Sequence, residues 1–431
     1  MALPEALAGV VVSDRCCGCG ACAGVAACGR LEMRLTPEGL WQPAVSECTN
    51  CGVCERVCPG LESPAPETAA PLGEHLGACV GYSTDERERL RGSSGGLATR
   101  VLKALLESGQ VEAVVAVRAS EDGERLFEAA VLRTSEEIQA AAGSKYYPVE
   151  FSRPLQELRA SGERFALVGV PCVITALHHG RERLPWLQRQ CVALIGLACG
   201  HLVSTHYTAF LAELSGVRAE GLSGAEYRRK PGLRSAVDYV FAARVADGAE
   251  GRELPFVTGR APVTLWTARI FTPGACFRCA DLFAADADLT LMDAWLPEYT
   301  ADRAGTSLAV ARSEAMRDLL EAERAAGRLH LEPIAPEHVV RSQAGALASR
   351  RVAAELRSTG AREPLSLRWE RRRARLSNRL LAGRGPRRRL GIAAIRAWMA
   401  AHRAWNRIWR LPRRVAGRLK RLVLGPGKVR T

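Results

Sequence analysis

The sequence has 431 residues, of which 47% are apolar and 15 are cysteine, and its net charge is +14. This length suits two or three domains with cores of their own, so the cysteines are not needed as staples for a small fold. The charge is uneven, because residues 346–431 hold 25 Lys and Arg against 3 Asp and Glu, whereas residues 1–345 hold 35 against 43.

No apolar stretch approaches the roughly 18 residues that span a bilayer, and the first residues lack a secretory signal pattern. We therefore expect a cytoplasmic protein. Clustered cysteines in such a protein predict metal or redox sites rather than disulfides.

Two cysteine runs lie within residues 1–62. The second, from Cys48 to Cys58, has the spacing C-x2-C-x2-C-x3-C-P that binds a [4Fe–4S] cluster in bacterial ferredoxins. The first begins at Cys16 with C-x2-C-x2-C, but its fourth position is Ala26, and Cys28 is the nearest substitute. The sequence therefore predicts a ferredoxin-like domain with two [4Fe–4S] clusters.

The ligands follow from the rule that the fourth cysteine of each run serves the other cluster. We assign the first cluster to Cys16, Cys19, Cys22 and Cys58, and the second to Cys48, Cys51, Cys54 and Cys28. Cys17 is interpreted as a spare thiol. The alternative is a pair of structural zinc sites, although zinc sites usually use cysteine pairs rather than triplets.

Beyond a Pro-rich linker at residues 63–76, strands and helices are predicted to alternate through residues 77–345. Such alternation favours a mostly parallel or mixed sheet. The predicted strands are Val80–Ser83, Val111–Val117, Phe165–Val170, Cys191–Leu197, Leu289–Met292, Ser307–Ala311 and Leu329–Ile334. The predicted helices are Leu97–Glu107, Pro171–His178 and Glu314–Ala326.

Six short motifs in this region are distinctive as a set. They are Arg91–Gly96, Gly143–Pro148, Val170–Cys172, Gly196–His201, Cys276-x2-Cys279 and Asp286–Trp295. With the cysteine runs, they make the chain resemble the beta-subunit family of coenzyme F-420 hydrogenase/dehydrogenase, from about residue 16 to about residue 334.

The resemblance implies an FAD in the α/β region and a third [4Fe–4S] cluster. Its natural ligands are Cys172, Cys199, Cys276 and Cys279. The sequence itself supports this ligand set in part. Cys172 directly follows Pro171 at the start of a predicted helix, where the helix dipole favours a thiolate. The alternative is that Cys172 and Cys199 are buried small hydrophobic residues.

The flavin site is expected at two loops. A Ser/Gly loop before a helix lets backbone N–H groups approach a phosphate or a ring edge. A lysine near the flavin would stabilise the negative charge of its reduced form. The candidate residues are Ser93, Ser94, Gly95 and Gly96 in one loop, and Gly143, Ser144, Lys145 and Tyr146 in the other.

The basic tail, residues 346–431, is predicted to contain an amphipathic helix from Ile392 to Trp409. Its apolar stripe is Ile392, Ile395, Met399, His402 and Trp405, and Trp398 and Trp409 add large rings. A basic helix with Trp on its apolar side suits an anionic membrane surface or a docking partner. A plain solvated tail and nucleic acid remain alternatives, but no nucleic-acid motif accompanies it.

Together these features predict an α+β or α/β multidomain protein that acts as an iron–sulfur flavoprotein oxidoreductase. Electrons would pass from ferredoxin or a partner subunit through the clusters to FAD, and then to a small-molecule, lipid-linked or glycan-linked acceptor. The alternative is a non-catalytic electron-transfer subunit of a hydrogenase or dehydrogenase complex, with coenzyme F-420 as a further cofactor. A zinc protein that binds nucleic acid ranks last.

Overall fold

The computed structural model describes residues 3–26, 28–61, 71–121, 123, 125–230, 232, 235–359, 363–383 and 385–410. Most of the predicted linker, with Pro64 and Pro66, lies outside the described residues. So do the tail beyond residue 410 and the side chains of Trp405 and Trp409.

Helices and strands alternate along most of the described chain. The strands are β1 (Leu31–Leu35), β2 (Trp41–Val45), β3 (Gly77–Ser83), β4 (Ala113–Ala119), β5 (Phe127–Leu132), β6 (Phe165–Gly169), β7 (Cys191–Leu197), β8 (Leu222–Arg229), β9 (Val240–Val245), β10 (Leu254–Pro255), β11 (Leu289–Asp293), β12 (Ser307–Ala311) and β13 (Leu329–Pro333). The helices are α1 (Glu5–Val12), α2 (Ala21–Val25), α3 (Glu86–Arg91), α4 (Leu97–Glu107), α5 (Ser135–Ala140), α6 (Ser152–Ser161), α7 (Pro171–Arg183), α8 (Pro185–Gln190), α9 (Thr205–Ser215), α10 (Ala261–Thr267), α11 (Pro297–Thr300), α12 (Glu314–Ala325), α13 (Pro336–Ser342), α14 (Ala344–Thr359), α15 (Leu365–Ala382) and α16 (Pro386–Arg410).

An eight-stranded mixed sheet organises the molecule, in the order β13-β3-β12-β11-β7-β6-β4-β5. Its four central strands β11, β7, β6 and β4 run parallel, and the outer strands are antiparallel to their neighbours. Central strands such as Phe165–Gly169 are nearly continuous apolar runs, as expected where both faces of a sheet are covered. The prediction of a mixed α/β fold is confirmed, and each predicted strand lies in this sheet.

Six strands of the described chain escape sequence-based prediction: β1, β2, β5, β8, β9 and β10. β1 and β2 pair with each other as an antiparallel two-stranded sheet in the cysteine-rich segment. β5 is rich in alanine, which has a low strand propensity, and it forms by pairing with β4. β8, β9 and β10 form a separate three-stranded antiparallel sheet. Strand β8 contains Gly224 and two shifts of register, so its sequence lacks a clean alternation of apolar and polar residues.

The cysteine-rich N-terminal segment packs directly on the α/β region. Gly24 of α2 has no side chain, and a Cβ there would lie 2.7 Å from Leu155 Cδ1 of α6. Val25 and Val57 share one buried core with Leu155 and Leu177. The first 62 residues therefore do not have a core entirely of their own.

The C-terminal helices also pack on the body, which corrects the prediction of a separate tail. Ile395 and Met399 of the predicted membrane-facing stripe are 4% and 3% exposed. They join a core that includes Phe210 and Phe271, with Ile392 packed beside them. An apolar stripe looks the same in sequence whether protein or lipid covers it, and here protein covers Ile395 and Met399.

The end of the predicted linker packs on the α/β region. Leu72, within that linker, is only 2% exposed and belongs to a core cluster of the α/β region.

Of the helices in the described part of the chain, none combines the length and apolar character that crossing a membrane requires.

Candidate redox site

The first predicted cluster set surrounds one small cavity. Cys16, Cys19, Cys22 and Cys58 all line it, together with apolar side chains of α1. Burial and neighbouring thiols raise the pKa of Cys16 to about 12, and that of Cys58 to about 11. Buried thiols that raise one another's pKa in this way would be strongly favoured as thiolates by a metal centre.

The second predicted set lies nearer the surface. Cys54 is buried and Cys51 is exposed, while Cys48 accepts a 3.3 Å hydrogen bond from the Asn50 backbone N–H. Burial raises the pKa of Cys54 to about 11, with smaller effects from Glu55, Cys51 and Cys48. Cys28 packs against the small core that contains Cys54 and Cys22. A fourth ligand of the second set is expected at such a position, close to Cys54.

Cys17, interpreted above as a spare thiol, lies between two predicted cluster sets. Its sulfur lies close to the thiols of Cys172 and Cys19, and their interactions lower the pKa of Cys17 well below its ordinary value. Cys19 belongs to the first set, and Cys172 belongs to the predicted third set. Cys17 therefore lies at the contact between the N-terminal segment and the α/β region, and its interpretation as a spare thiol outside the ligand sets stays a prediction.

The third predicted set forms at the carboxyl ends of parallel strands. Gly169 of β6 pairs with Gly196 of β7. Cys172 and Cys199 each come three residues later, Cys172 as the second residue of α7 and Cys199 in the loop after β7. Cys199 also lies close to Cys276 and Cys279, and burial raises its pKa to about 12. The fold thus brings together cysteines from three separate segments.

Arg350 of α14 holds this third set in place, and no sequence pattern identifies it. Its guanidinium donates hydrogen bonds to the carbonyls of Cys276, Cys279 and Cys199 at 3.2, 2.9 and 2.8 Å. The side chain is 2% exposed, and it lies within the segment predicted to be tail. One buried cation therefore ties α14 to three of the four candidate ligands.

The first and third cysteine sets supply the kind of ligand that a [4Fe–4S] cluster uses. Among the described residues, no three Cys, His, Asp or Glu side chains converge as they would around a single ion. A cubane binds each thiolate at a separate iron corner, so its ligands stand farther apart than those of one ion. In the first and third sets, neighbouring thiols lie largely inside the protein and form no disulfide. This arrangement fits such a cluster.

The two predicted flavin loops contact each other. The backbone N–H of Ser144 donates a 2.6 Å hydrogen bond to Ser93 Oγ. The Ser94 hydroxyl donates to the carbonyl of Thr306 at 2.6 Å, and Gly95 N–H donates to Ser307 Oγ at 2.9 Å. These bonds fix the Ser/Gly loop against the turn that precedes β12.

Glycine is required where this loop enters α4. Gly96 has a φ of +81°, in the left-handed region that favours glycine. A Cβ on Gly95 would lie 2.6 Å from the carbonyl oxygen of Gly81. No side chain caps the N-terminus of α4, so its first N–H groups are available to a ligand.

Two partly buried lysines lie at these loops. Burial and the nearby charge of Arg91 lower the pKa of Lys145 to about 8, and its ammonium donates to the carbonyls of Ala141 and Ala142. Lys230, which sequence reasoning missed, directly follows β8. Its ammonium donates to the carbonyls of Arg89 and Ala304, both at 2.9 Å, and burial lowers its pKa to about 8.

A buried ion pair completes this part of the site. Arg228 Nη1 lies 2.9 and 3.0 Å from the two carboxylate oxygens of Asp293, at the end of β11. The guanidinium lies over the rings of Tyr239 and Trp295, at 4.6 and 5.2 Å from their centroids. Tyr146 is partly buried near the same pair, and desolvation raises the pKa of its hydroxyl well above its ordinary value.

These residues fit a flavin. Arg228 Nε is buried and has no hydrogen-bond partner among the described residues, so a donor is still available to a ligand. Lys145 and Lys230 supply positive charge, and the rings of Tyr146 and Trp295 supply apolar surface. Such a combination of cations, aromatic rings and free N–H groups suits an anionic, planar cofactor.

The candidate cluster and flavin residues meet at one edge of the sheet. Leu197, the last residue of β7, pairs with Leu291 of β11, and β11 ends two residues later at Asp293. Cys199 follows β7 by two residues in the loop, where its backbone N–H donates a 3.0 Å hydrogen bond to the carbonyl of Leu282. A separate groove of about 1140 Å³, lined by residues such as Leu254, Thr264 and Met399, contains none of the predicted site residues.

Comparison with known proteins finds relatives at moderate similarity. One component of the F(420)H(2) dehydrogenase of Methanosarcina mazei, its F subunit, is 26% identical over 221 residues, which are 49% of this chain and 60% of that protein. The coenzyme F420-dependent sulfite reductase of Methanocaldococcus jannaschii is 29% identical over 212 residues, which are 44% of this chain and 31% of that protein. The chain thus spans less than two thirds of either relative.

A solved structure and two family models identify the fold and the family. A chain of the F420-reducing [NiFe] hydrogenase complex from Methanosarcina barkeri matches with a TM-score of 0.52 at 16% identity, covering 69% of this chain and 97% of that one. This likeness shows a shared fold. The two models describe the N-terminal and C-terminal parts of the "Coenzyme F420 hydrogenase/dehydrogenase, beta subunit", and they match residues 78–156 and 162–337 respectively. The chain belongs to the coenzyme F420 hydrogenase/dehydrogenase beta-subunit family.

Proposed function

We propose that this chain is an iron–sulfur flavoprotein oxidoreductase that moves electrons between a ferredoxin-type partner and an organic acceptor. The observation that carries the proposal is a continuous series of thiols. It runs from the cavity lined by Cys16 and Cys58, through the Cys17–Cys172 contact, to Cys199. Cys199 in turn lies beside the strand that ends at Asp293, among the residues that fit FAD.

In this proposal, [4Fe–4S] clusters supply one-electron steps, and FAD joins single electrons to two-electron chemistry. The protein itself would position these cofactors and insulate them from solvent. Arg350 holds the carbonyls around the third cysteine set, and its charge favours electron-rich sulfur nearby. Lys145 and Lys230 place positive charge where a reduced, anionic ring would need it.

The test is the content of iron, sulfide, zinc and flavin in anaerobically purified protein, followed by reduction with reduced ferredoxin. About twelve iron, about twelve sulfide and one FAD per chain would support three clusters and the proposed path. About eight iron would mean that one ligand set is wrong, with the Cys28 set examined first. Zinc in place of iron, without flavin, would refute the proposal.

A second candidate is an electron-transfer subunit that performs no turnover alone and exchanges electrons with coenzyme F-420. The two relatives described above favour it, because their names refer to this coenzyme or its reduced form. Turnover of an acceptor by the isolated chain would favour the first candidate. Flavin reduction by reduced F-420, with turnover only after a catalytic partner is added, would favour the second.

A further inference from the structure

Helix α15 has two contrasting faces. Its inner face is anchored to the body, because Ser204 Oγ donates a 2.8 Å hydrogen bond to Asn378 Oδ1 and Arg373 donates to the carbonyl of Ala268 at 2.6 Å. Its outer face exposes large apolar side chains: Leu365 is 70%, Trp369 67% and Leu376 56% exposed. The apolar spacing of four and seven residues places all three on one side of the helix.

The same outer face is strongly cationic. Arg368, Arg372 and Arg379 are exposed, and no ion pair joins them to a carboxylate within the described chain. Arg372 lies 5.8 Å from the centroid of the Trp369 ring. The neighbouring Glu363 pairs with Arg371 instead of these residues.

Helix α16 extends the surface beside α15. Leu390 is 69% exposed, and Arg387 and Arg389 are exposed near it. No Asp or Glu occurs anywhere from residue 371 to the end of the sequence. The result is one outer surface that combines isolated large apolar side chains with arginines.

From this we infer that the outer face of α15, together with Leu390, Arg387 and Arg389, lies on an anionic bilayer surface. Arginines attract anionic headgroups, while Trp and Leu enter the boundary between headgroups and acyl chains. Nucleic acid would need only the arginines, so exposed leucines at helical spacing argue for lipid. The inferred face is distinct from the stripe of Ile395 and Met399, which the body covers.

The test is co-sedimentation of the full chain with vesicles of phosphatidylcholine, with and without phosphatidylserine. We expect binding to the anionic vesicles and little binding to the neutral ones. Trp369→Ser combined with Leu376→Ser should weaken binding at least tenfold, because each side chain leaves the interface. Arg372→Gln should weaken it about fivefold, since each surface arginine contributes about that factor.

Two matched controls carry equivalent changes elsewhere. Val192→Ser alters an exposed apolar residue of β7, and Arg317→Gln removes an exposed arginine of α12. Both should bind anionic vesicles as the unmodified chain does. Binding that survives the Trp369 and Leu376 changes would overturn the inference, because residues beyond 410 would then suffice. No binding of the unmodified chain would also overturn it, and would point to an acidic protein partner.

Discussion

Removal of the Arg350 side chain is the sharpest test of how the third cysteine set is held. Its three hydrogen bonds reach carbonyls from two segments that are 151 and about 70 residues away in the sequence. Arg350→Ala would leave these buried carbonyls without a donor. Each unsatisfied buried group costs about 1–3 kcal/mol, so with partial entry of water we expect a loss of about 3–5 kcal/mol in the free energy of unfolding.

Urea denaturation and iron analysis would measure the effect. Arg350→Ala should also lose up to about four iron atoms per chain, since one [4Fe–4S] cluster depends on the tethered residues. For Arg350→Lys we expect a stability and an iron content between those of Arg350→Ala and the unmodified chain. An ammonium keeps the charge but cannot span three separated carbonyls as a planar guanidinium does. Arg351→Ala, an exposed neighbour on the same helix, is the matched control and should be unchanged.

Two results would contradict this reasoning. If Arg350→Ala keeps both its stability and its iron content, the three hydrogen bonds do not organise the cysteines. If it loses stability but keeps its iron, Arg350 supports the fold and not the cluster site. Only a combined loss, absent in Arg351→Ala, agrees with a role in holding the ligands.

Four other changes test separate parts of the structure. Burial lowers the pKa of Lys145 from 10.5 to about 8, so stability should rise with pH across this window, and Lys145→Met should remove that rise in urea titrations of flavin-free protein. Cys172→Ala should lose about four iron atoms while Cys17→Ala keeps them, and an equal loss would make Cys17 a ligand. Ile395→Ala should destabilise the fold by about 2–4 kcal/mol, whereas an unchanged melting temperature would mean that α16 does not pack on the body. Asp293→Asn leaves its buried guanidinium partner uncompensated, so it should lower stability by about 3–5 kcal/mol and reduce flavin content, and normal flavin content would place the cofactor elsewhere.

The prediction of the N-terminal part of the candidate site rests on local chemistry. Cluster ligands only a few residues apart must follow a fixed spacing, so Cys48 to Cys58 could be assigned by inspection. The apolar runs of the central strands were equally informative, because a strand buried on both faces is apolar throughout. These signals are contained within short, continuous stretches of sequence.

The rest depended on contacts between distant residues. Cys172 and Cys199 meet because β6 and β7 pair in one particular register, which spacing does not encode. Arg350 is one arginine among many in a basic segment, and only its burial distinguishes it. Lys230 directly follows β8. The irregular alternation of apolar and polar residues in β8 prevents its prediction as a strand, so the sequence does not mark Lys230 as a residue at a strand end.

The Arg350 tether also sets an order for biosynthesis. A ribosome adds residues from the N-terminus, so the last candidate cysteine, Cys279, is synthesised 71 residues before Arg350. At about 5–20 residues per second, this leaves roughly 4–14 s in which the cysteine loops exist without the buried cation that fastens them. A cluster delivered in that interval would meet an open site, and one delivered later would have to displace α14. For the proposed third cluster, we therefore expect assembly to occur before the C-terminal helices are complete.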